Sequence, residues 1–172
     1  MSEKGLTGVE RQFRDDELIV SKTDLQGRIT YCNDVFMRMA GYKESDLLGK
    51  PHSIIRHPGM PRCVFKLLWD TISGGKEIFA YVINRAKGGD HYWVFAHVTP
   101  DMDASGKVTG YHSNRRTVDR RVIPLVEGLY AQLLAEEARH SDRKAGMEAA
   151  TNMLVQTLTA KGISYEQFVL SL

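Results

Sequence analysis

The sequence predicts an α+β fold, a five-stranded antiparallel sheet with short helices on one face, followed by a C-terminal helical extension. Three observations predict it. Stretches with two-residue periodicity open the chain and fill its middle, while stretches with helical periodicity lie between and after them. Short glycine-bearing turns link neighbouring strands, which suits antiparallel pairing. The order strand, strand, short helices, strand, strand, strand lets the helices gather on one side of a single sheet.

Leu18-Ile19-Val20 and Arg28-Ile29-Thr30-Tyr31 read as two strands, joined by the turn Asp24-Leu25-Gln26-Gly27 with glycine where a positive φ is needed. Asn33 has the short acceptor side chain of a helix cap, ahead of Val35, Phe36, Met39 and Ala40. Gly41, Gly49 and Pro51 punctuate short helical turns around Ser45 to Leu48. The chain then reaches Arg56-His57-Pro58, where proline disfavours helix in the residue before it. Pro61 is placed to start a longer helix with Val64, Phe65, Leu68, Trp69 and Ile72 at helical spacing, and Gly74-Gly75 ends it. Three strands are expected near 77 to 85, 90 to 99 and 107 to 117, linked by turns at Lys87-Gly88-Gly89 and Asp101 to Gly106.

The last third is helical. A helix beginning near Asp119 carries the stripe Val122, Leu125, Val126, Leu129 and Leu133, with Pro124 in its first turn, and charge takes over at Glu136-Glu137-Ala138-Arg139. A second helix, 146 to 160, carries Met147, Ala150, Leu154 and Leu158 and stops at Gly162. Ser164-Tyr165-Glu166-Gln167 reads as a capping box with Ile163 and Phe168 as its hydrophobic staple. The domain division expected is 1–17 as an N-terminal cap segment, 18–118 as the sheet domain and 119–172 as the extension.

Composition narrows the function. The 172 residues suffice to bury a core without disulfides or metal. A net charge of +2, from 23 basic and 21 acidic residues, gives no nucleic-acid footprint. Cys32 and Cys63 lack Cys-x-x-Cys spacing, the Met-Ser-Glu-Lys-Gly start has no apolar signal core, and no apolar run is long enough to span a bilayer. These features point to a reduced, cytoplasmic protein without membrane insertion. No nucleophile, base and orienting group recur together, so an enzyme is not expected.

The chemistry gathers at two stretches. Arg56 and His57 precede a proline corner at a helix entrance, a place to hold an anion. About twenty residues later a strand-turn-strand presents an amide, Asn84, and a phenol, Tyr92. Alternation puts Tyr92, Val94, Ala96 and Val98 on one face, opposite His91, Trp93, Phe95 and His97. Asn84 shares its face with Ile78, Ala80 and Val82, while Phe79, Tyr81 and Ile83 point away. The latter set with Trp93 and Phe95 is too apolar to remain in water, so the C-terminal helices or a second subunit should cover it.

Over roughly residues 18 to 118 the sequence resembles the flavin-binding PAS domains of bacterial aerotaxis (energy-taxis) transducers. The resemblance rests on Thr23-Asp24-Leu25, Asn33-Asp34 with Phe36, Pro51-His52, Arg56-His57-Pro58, Met60-Pro61, Phe65, Trp69, Asn84-Arg85, Gly89-Asp90-His91-Tyr92-Trp93-Val94 and Gly110-Tyr111. It implies a PAS fold binding flavin adenine dinucleotide (FAD). Arg56 and His57 would serve the phosphates, Phe65, Trp69, Asn84 and Tyr92 the ring system, and His52 and Asn33 the rim. It further implies a redox sensor that relays flavin state to a chemotaxis or other signalling protein, and a homodimer formed through the outer sheet face or the C-terminal helices. The family more often has aspartate where Gly59 stands, and arginine and asparagine where Ala86 and Gly88 stand. Two alternatives remain: a haem-binding PAS gas sensor using His52 or His57, and a ligand-free interaction module. Neither cysteine lies in the Asn-Cys-Arg-Phe context of light-oxygen-voltage photochemistry.

Overall fold

The computed structural model describes residues 5–172. Strands β1 (Ile19–Thr23), β2 (Ile29–Cys32), β3 (Ile78–Arg85), β4 (His91–Met102) and β5 (Val108–Arg116) form one antiparallel sheet in the order β2-β1-β5-β4-β3. Helices α1 (Asp34–Ala40), α2 (Glu44–Leu47) and α3 (Arg62–Ser73), with a 3-10 turn at His52–Ile55, connect β2 to β3. Helices α4 (Ile123–Ala138), α5 (Arg143–Ala160) and α6 (Tyr165–Ser171) follow the sheet.

Local chemistry sets the early elements. The Asn33 side-chain oxygen accepts from the Phe36 N–H at 3.1 Å and the Val20 N–H at 3.0 Å, and its amide donates to the Leu18 carbonyl at 2.8 Å. The cap thereby also ties α1 to β1. Gly27 closes the β1–β2 turn at φ 75°, a conformation that side chains oppose. β4 continues through Pro100 to Met102, three residues beyond the expected end. Its pairing with β3 stops at Val98, so the donor that proline removes had no strand to meet.

The expected division of faces holds. Tyr92, Val94, Ala96 and Val98, with Ile78, Ala80, Val82 and Asn84, are buried on the sheet's inner side, where they join Phe36, Leu47, Ile55, Val64 and Ile72. On the outer side Trp93 stacks on Tyr130 of α4 with ring centroids 6.4 Å apart, and the Tyr81 hydroxyl donates to the Val169 carbonyl of α6 at 3.4 Å. The C-terminal helices thus cover part of the outer face, while Phe79 and Phe95, stacked at 5.8 Å, stay half-buried.

The extension departs from the expected pattern in three ways. α4 starts at Ile123 and buries Ile123, Val126, Tyr130 and Leu133, leaving Leu125 exposed on the opposite side. α5 starts at Arg143, three residues early, because Asp142 caps it by accepting from the Ala145 N–H at 2.7 Å. Glu137, read as part of a charged surface, is buried. The Ser164–Gln167 capping box forms as expected.

Both sheet edges are occupied. Along β3, the Tyr130 hydroxyl donates to the Tyr81 carbonyl at 2.5 Å and the Ile83 N–H points at the Met60 sulfur at 3.4 Å. Along β2, the Ile29 N–H donates to the Lys50 carbonyl at 2.9 Å and the Gly49 N–H to the Ile29 carbonyl at 2.8 Å. At the N-terminal side, Glu10 runs parallel to His91, and the Arg11 side chain binds Asp90 at 2.8 Å and the Met39 carbonyl at 3.2 Å.

Candidate ligand site

Between the inner face of β3, β4 and β5 and the helices lies a cavity of about 630 Å³, within the range typical of small-molecule sites. The local folding explains its contents. Pro58 and Pro61 bracket a turn that delivers Arg56 beside α3, and Arg56 forms a bridge with Asn84 on β3. On α3, Phe65 and Trp69 lie one turn apart and face the cavity. The small inward residues Ala96, Val82 and Val98 leave room on the sheet side.

Five of the sequence-derived candidates line this space: His52, Arg56, Phe65, Trp69 and Asn84. The Arg56 guanidinium sits 4.2 Å from the Phe65 ring centroid, held by cation–π attraction. Trp69 meets Tyr111 edge-on at 5.4 Å, and a side chain on Gly27 would collide with the indole. Tyr92 is not a lining residue but is fully buried directly across from Asn84, its register partner. Two candidates stand elsewhere. Asn33 spends its side chain on three backbone groups, and His57 accepts from the Gly59 N–H at 3.0 Å with its ring 5.9 Å from His91. A β-carbon at position 59 would lie 2.9 Å from His57 Nδ1, so Gly59 is what permits this histidine conformation.

Sequence reading missed Arg115. It is buried, pairs in register with Ala96, and reaches inward past the Phe36 ring, 5.0 Å from its centroid. Its Nε donates to Ser113 Oγ at 3.0 Å, and its Nη2 meets Ser21 Oγ and His52 Nε2, the latter at 3.0 Å. Burial lowers its pKa to about 10. Burial, and then the Arg115 charge, push His52 down to about 3, so its imidazole is neutral and its Nε2 can accept from Arg115. Burial also lowers Arg56, with Glu137 acting in the opposite sense.

The electrostatics favour an anionic or carbonyl-rich ligand. Of the cations lining the cavity, Lys66 pairs with Asp70 and Arg62 with Glu137. Among the described residues neither Arg56 nor Arg115 pairs with a carboxylate. Asn84 Nδ2, Tyr92 OH and Arg115 Nη1 are buried without a hydrogen-bond partner among the described residues. Such groups cost about 1–3 kcal/mol each when left unpaired. Donors at Asn84 and Arg115 facing a cavity with aromatic walls suit a planar heterocycle edged with carbonyls and ring nitrogens, and the Arg56 guanidinium suits phosphate. The residues present therefore fit a flavin nucleotide. Among the described residues there is no grouping of metal-ligating side chains, and no helix is long and apolar enough to cross a membrane.

Comparison with known proteins places these features in a wider set. The family profile described as PAS fold matches residues 29–115. The aerotaxis receptor of Escherichia coli K12 is 44% identical over 121 residues, covering 70% of this chain and 24% of that protein. The nitrogen fixation regulatory protein of Klebsiella pneumoniae is 28% identical over 99 residues, 58% of this chain and 20% of that protein. The chain thus spans a quarter or less of the length of these relatives. Among solved structures, the light-state blue-light photoreceptor Aureochrome1 LOV superposes with a TM-score of 0.56 at 22% identity, over 62% of this chain and 86% of that one. A light-oxygen-voltage domain studied with a flavin analogue gives 0.58 at 19% identity, over 72% and 90%. At these identities the structural likeness speaks to fold.

Proposed function

The chain belongs to the PAS fold family, and from that premise we propose that it is a cytoplasmic redox sensor that binds FAD and relays the flavin's state to a signalling partner. The observation that carries this reading is the trio of buried, unpartnered polar atoms on Asn84, Tyr92 and Arg115 beside a cavity whose Arg56 has no carboxylate partner among the described residues. The similarity to an aerotaxis receptor over 70% of the chain supports the sensory role.

In this reading, Asn84 and Arg115 hold the polar edge of the ring system, Phe65 and Trp69 wall its faces, and Arg56 neutralises phosphate. Bound FAD supplies reversible uptake of electrons and protons at its ring. Asn84 can donate from Nδ2 or accept at its oxygen, so a change in proton content at the ring edge changes which amide orientation is satisfied. An unmet polar group there costs about 1–3 kcal/mol, enough to shift a two-state element severalfold or more. Arg115 links that edge to Ser21 and His52, and Asn84 lies on β3, whose Tyr81 bonds to α4 and α6. The sheet therefore offers a route from the cavity to the extension. The output passes to a chemotaxis or other signalling protein, and a homodimer would use the half-buried Phe79 and Phe95 of the outer face.

The test is an absorption spectrum of the purified protein, followed by denaturation, filtration and chromatographic identification of the released chromophore. Flavin bands and released FAD are expected. A Soret band would replace the reading with a haem sensor, and colourless protein prepared with abundant riboflavin would leave an interaction module.

A further inference from the structure

The extension does more than cover the outer face. Midway along α4, Tyr130 stacks on Trp93 and bonds to the β3 edge, and the helix ends at the start of α3, where Glu137 reaches the Cys63 N–H. There Glu137, 4% exposed, accepts from the Cys63 backbone N–H at 2.8 Å and from Arg62 Nε at 2.9 Å. One carboxylate thus satisfies a free N–H in the first turn of α3 and fixes a cavity-lining arginine. α5 turns back against α3, and Met147, one residue after Gly146, lines the cavity together with Arg56 and Phe65. Gly146 lets α5 lie close against the end of α4, since a β-carbon there would lie 2.5 Å from the Glu137 carbonyl oxygen. The matched PAS region ends at residue 115, before either helix begins.

We propose that the α4–α5 hairpin is a structural wall of the ligand site, with Met147 a ligand-contacting residue and Glu137 the positioning residue that docks the hairpin on α3. This rests on the flavin reading of the cavity. Thioether carbon and sulfur are soft and polarisable and pack well against aromatic rings, which is what a wall beside a heterocycle needs. Linkage makes the coupling reciprocal: a ligand that touches Met147 binds better when the hairpin is docked, and its binding holds the hairpin down by the same factor.

The test uses the full chain, as wild type and as Met147→Ala, Met147→Leu and Gly146→Ala, each first shown to be folded by circular dichroism. FAD affinity and the fine structure of the bound flavin's visible bands are measured for each, together with amide exchange across residues 123–160 with and without FAD. The expectation is that Met147→Ala weakens FAD binding about tenfold, as losing most of a thioether side chain packed on the ligand should, and alters the band structure. Met147→Leu restores both to near wild type, and Gly146→Ala, which forces the helices apart without removing the thioether, weakens binding while raising exchange. In wild type, FAD slows exchange in α4 and α5. The proposal is overturned if wild type binds FAD while Met147→Ala matches it in affinity and spectrum, or if FAD leaves exchange in the hairpin unchanged. Failure of the wild type itself to bind FAD is a distinct outcome, and it removes both this proposal and the flavin reading.

Discussion

Arg115→Met separates the stability of the protein from its ligand affinity. In the wild type a guanidinium 3% exposed has an Nη1 without a hydrogen-bond partner among the described residues, and burial lowers its pKa to about 10. That lowering corresponds to roughly 3 kcal/mol by which folding disfavours the charged form. Methionine keeps much of the stem beside Phe36 and Ile19 and removes the charge. Ser21 Oγ retains His52 Nε2 as a partner at 3.2 Å, and Ser113 is only half-buried, so the side chains left behind lose little. The net expectation is that ligand-free Arg115→Met is more stable by about 1–3 kcal/mol, in line with apolar replacement of buried charged groups, which raises Tm by several degrees in a chain of this size. Flavin affinity should move the other way. A charge-assisted hydrogen bond is lost, worth about 1.5–3 kcal/mol, or at least roughly tenfold in Kd. Urea unfolding of the ligand-free protein reads the first effect and a flavin fluorescence titration the second. A destabilised variant, or one that binds flavin as wild type does, would refute this account of Arg115.

Other expectations follow from the same contacts. His52 has a folded pKa of about 3 against 6.5 unfolded, so the unfolded chain binds the extra proton in between. The stability this contributes is complete above about pH 6.5 and falls as the pH drops toward 3, by no more than about 1.4 kcal/mol per pH unit. Urea midpoints at pH 7.5, 5.5 and 4.5 should show a shallower decline in His52→Gln than in wild type, and equal slopes would count against a buried neutral imidazole. Glu137→Ala strands Arg62 and the Cys63 N–H and should cost about 2–4 kcal/mol, with Glu137→Gln closer to half because the N–H keeps an acceptor; thermal unfolding that ranks the two alike would contradict the ion pair. Asn33→Ala removes the α1 cap and should cost about 1–2 kcal/mol while leaving flavin affinity within a factor of two. A large loss of affinity with little loss of stability would instead place Asn33 in the ligand site.

What could be read in advance was what short-range chemistry decides. The Asp24–Gly27 turn, the Asn33 cap, the α3 stripe, the Ser164 capping box and the alternation along β4 each depend on residues within about a turn or a strand of one another. Register lies beyond that reach. Arg115 sits among Ser113, Asn114 and Arg116 and reads as polar surface, yet its pairing with Ala96 turns it inward. Alternation with Tyr111 and Ser113 was the available clue, because all three share a face. Glu137 beside Glu136 looks solvated, and only the docking of α4 on the start of α3 makes it buried. Met147 falls within an ordinary apolar stripe, and nothing in its spacing distinguishes a core contact from a cavity wall. Leu125 extends a plausible apolar stripe, but the helix buries Ile123 and Tyr130 and leaves Leu125 exposed.

The sealed margins of the sheet have a consequence for assembly. A strand with free N–H and C=O groups invites another chain to add alongside it and so extend into a ribbon. Here a phenol and a thioether occupy one side of the array and the 49–50 loop the other. Strand addition at these positions is thereby discouraged, and with it open-ended fibre growth.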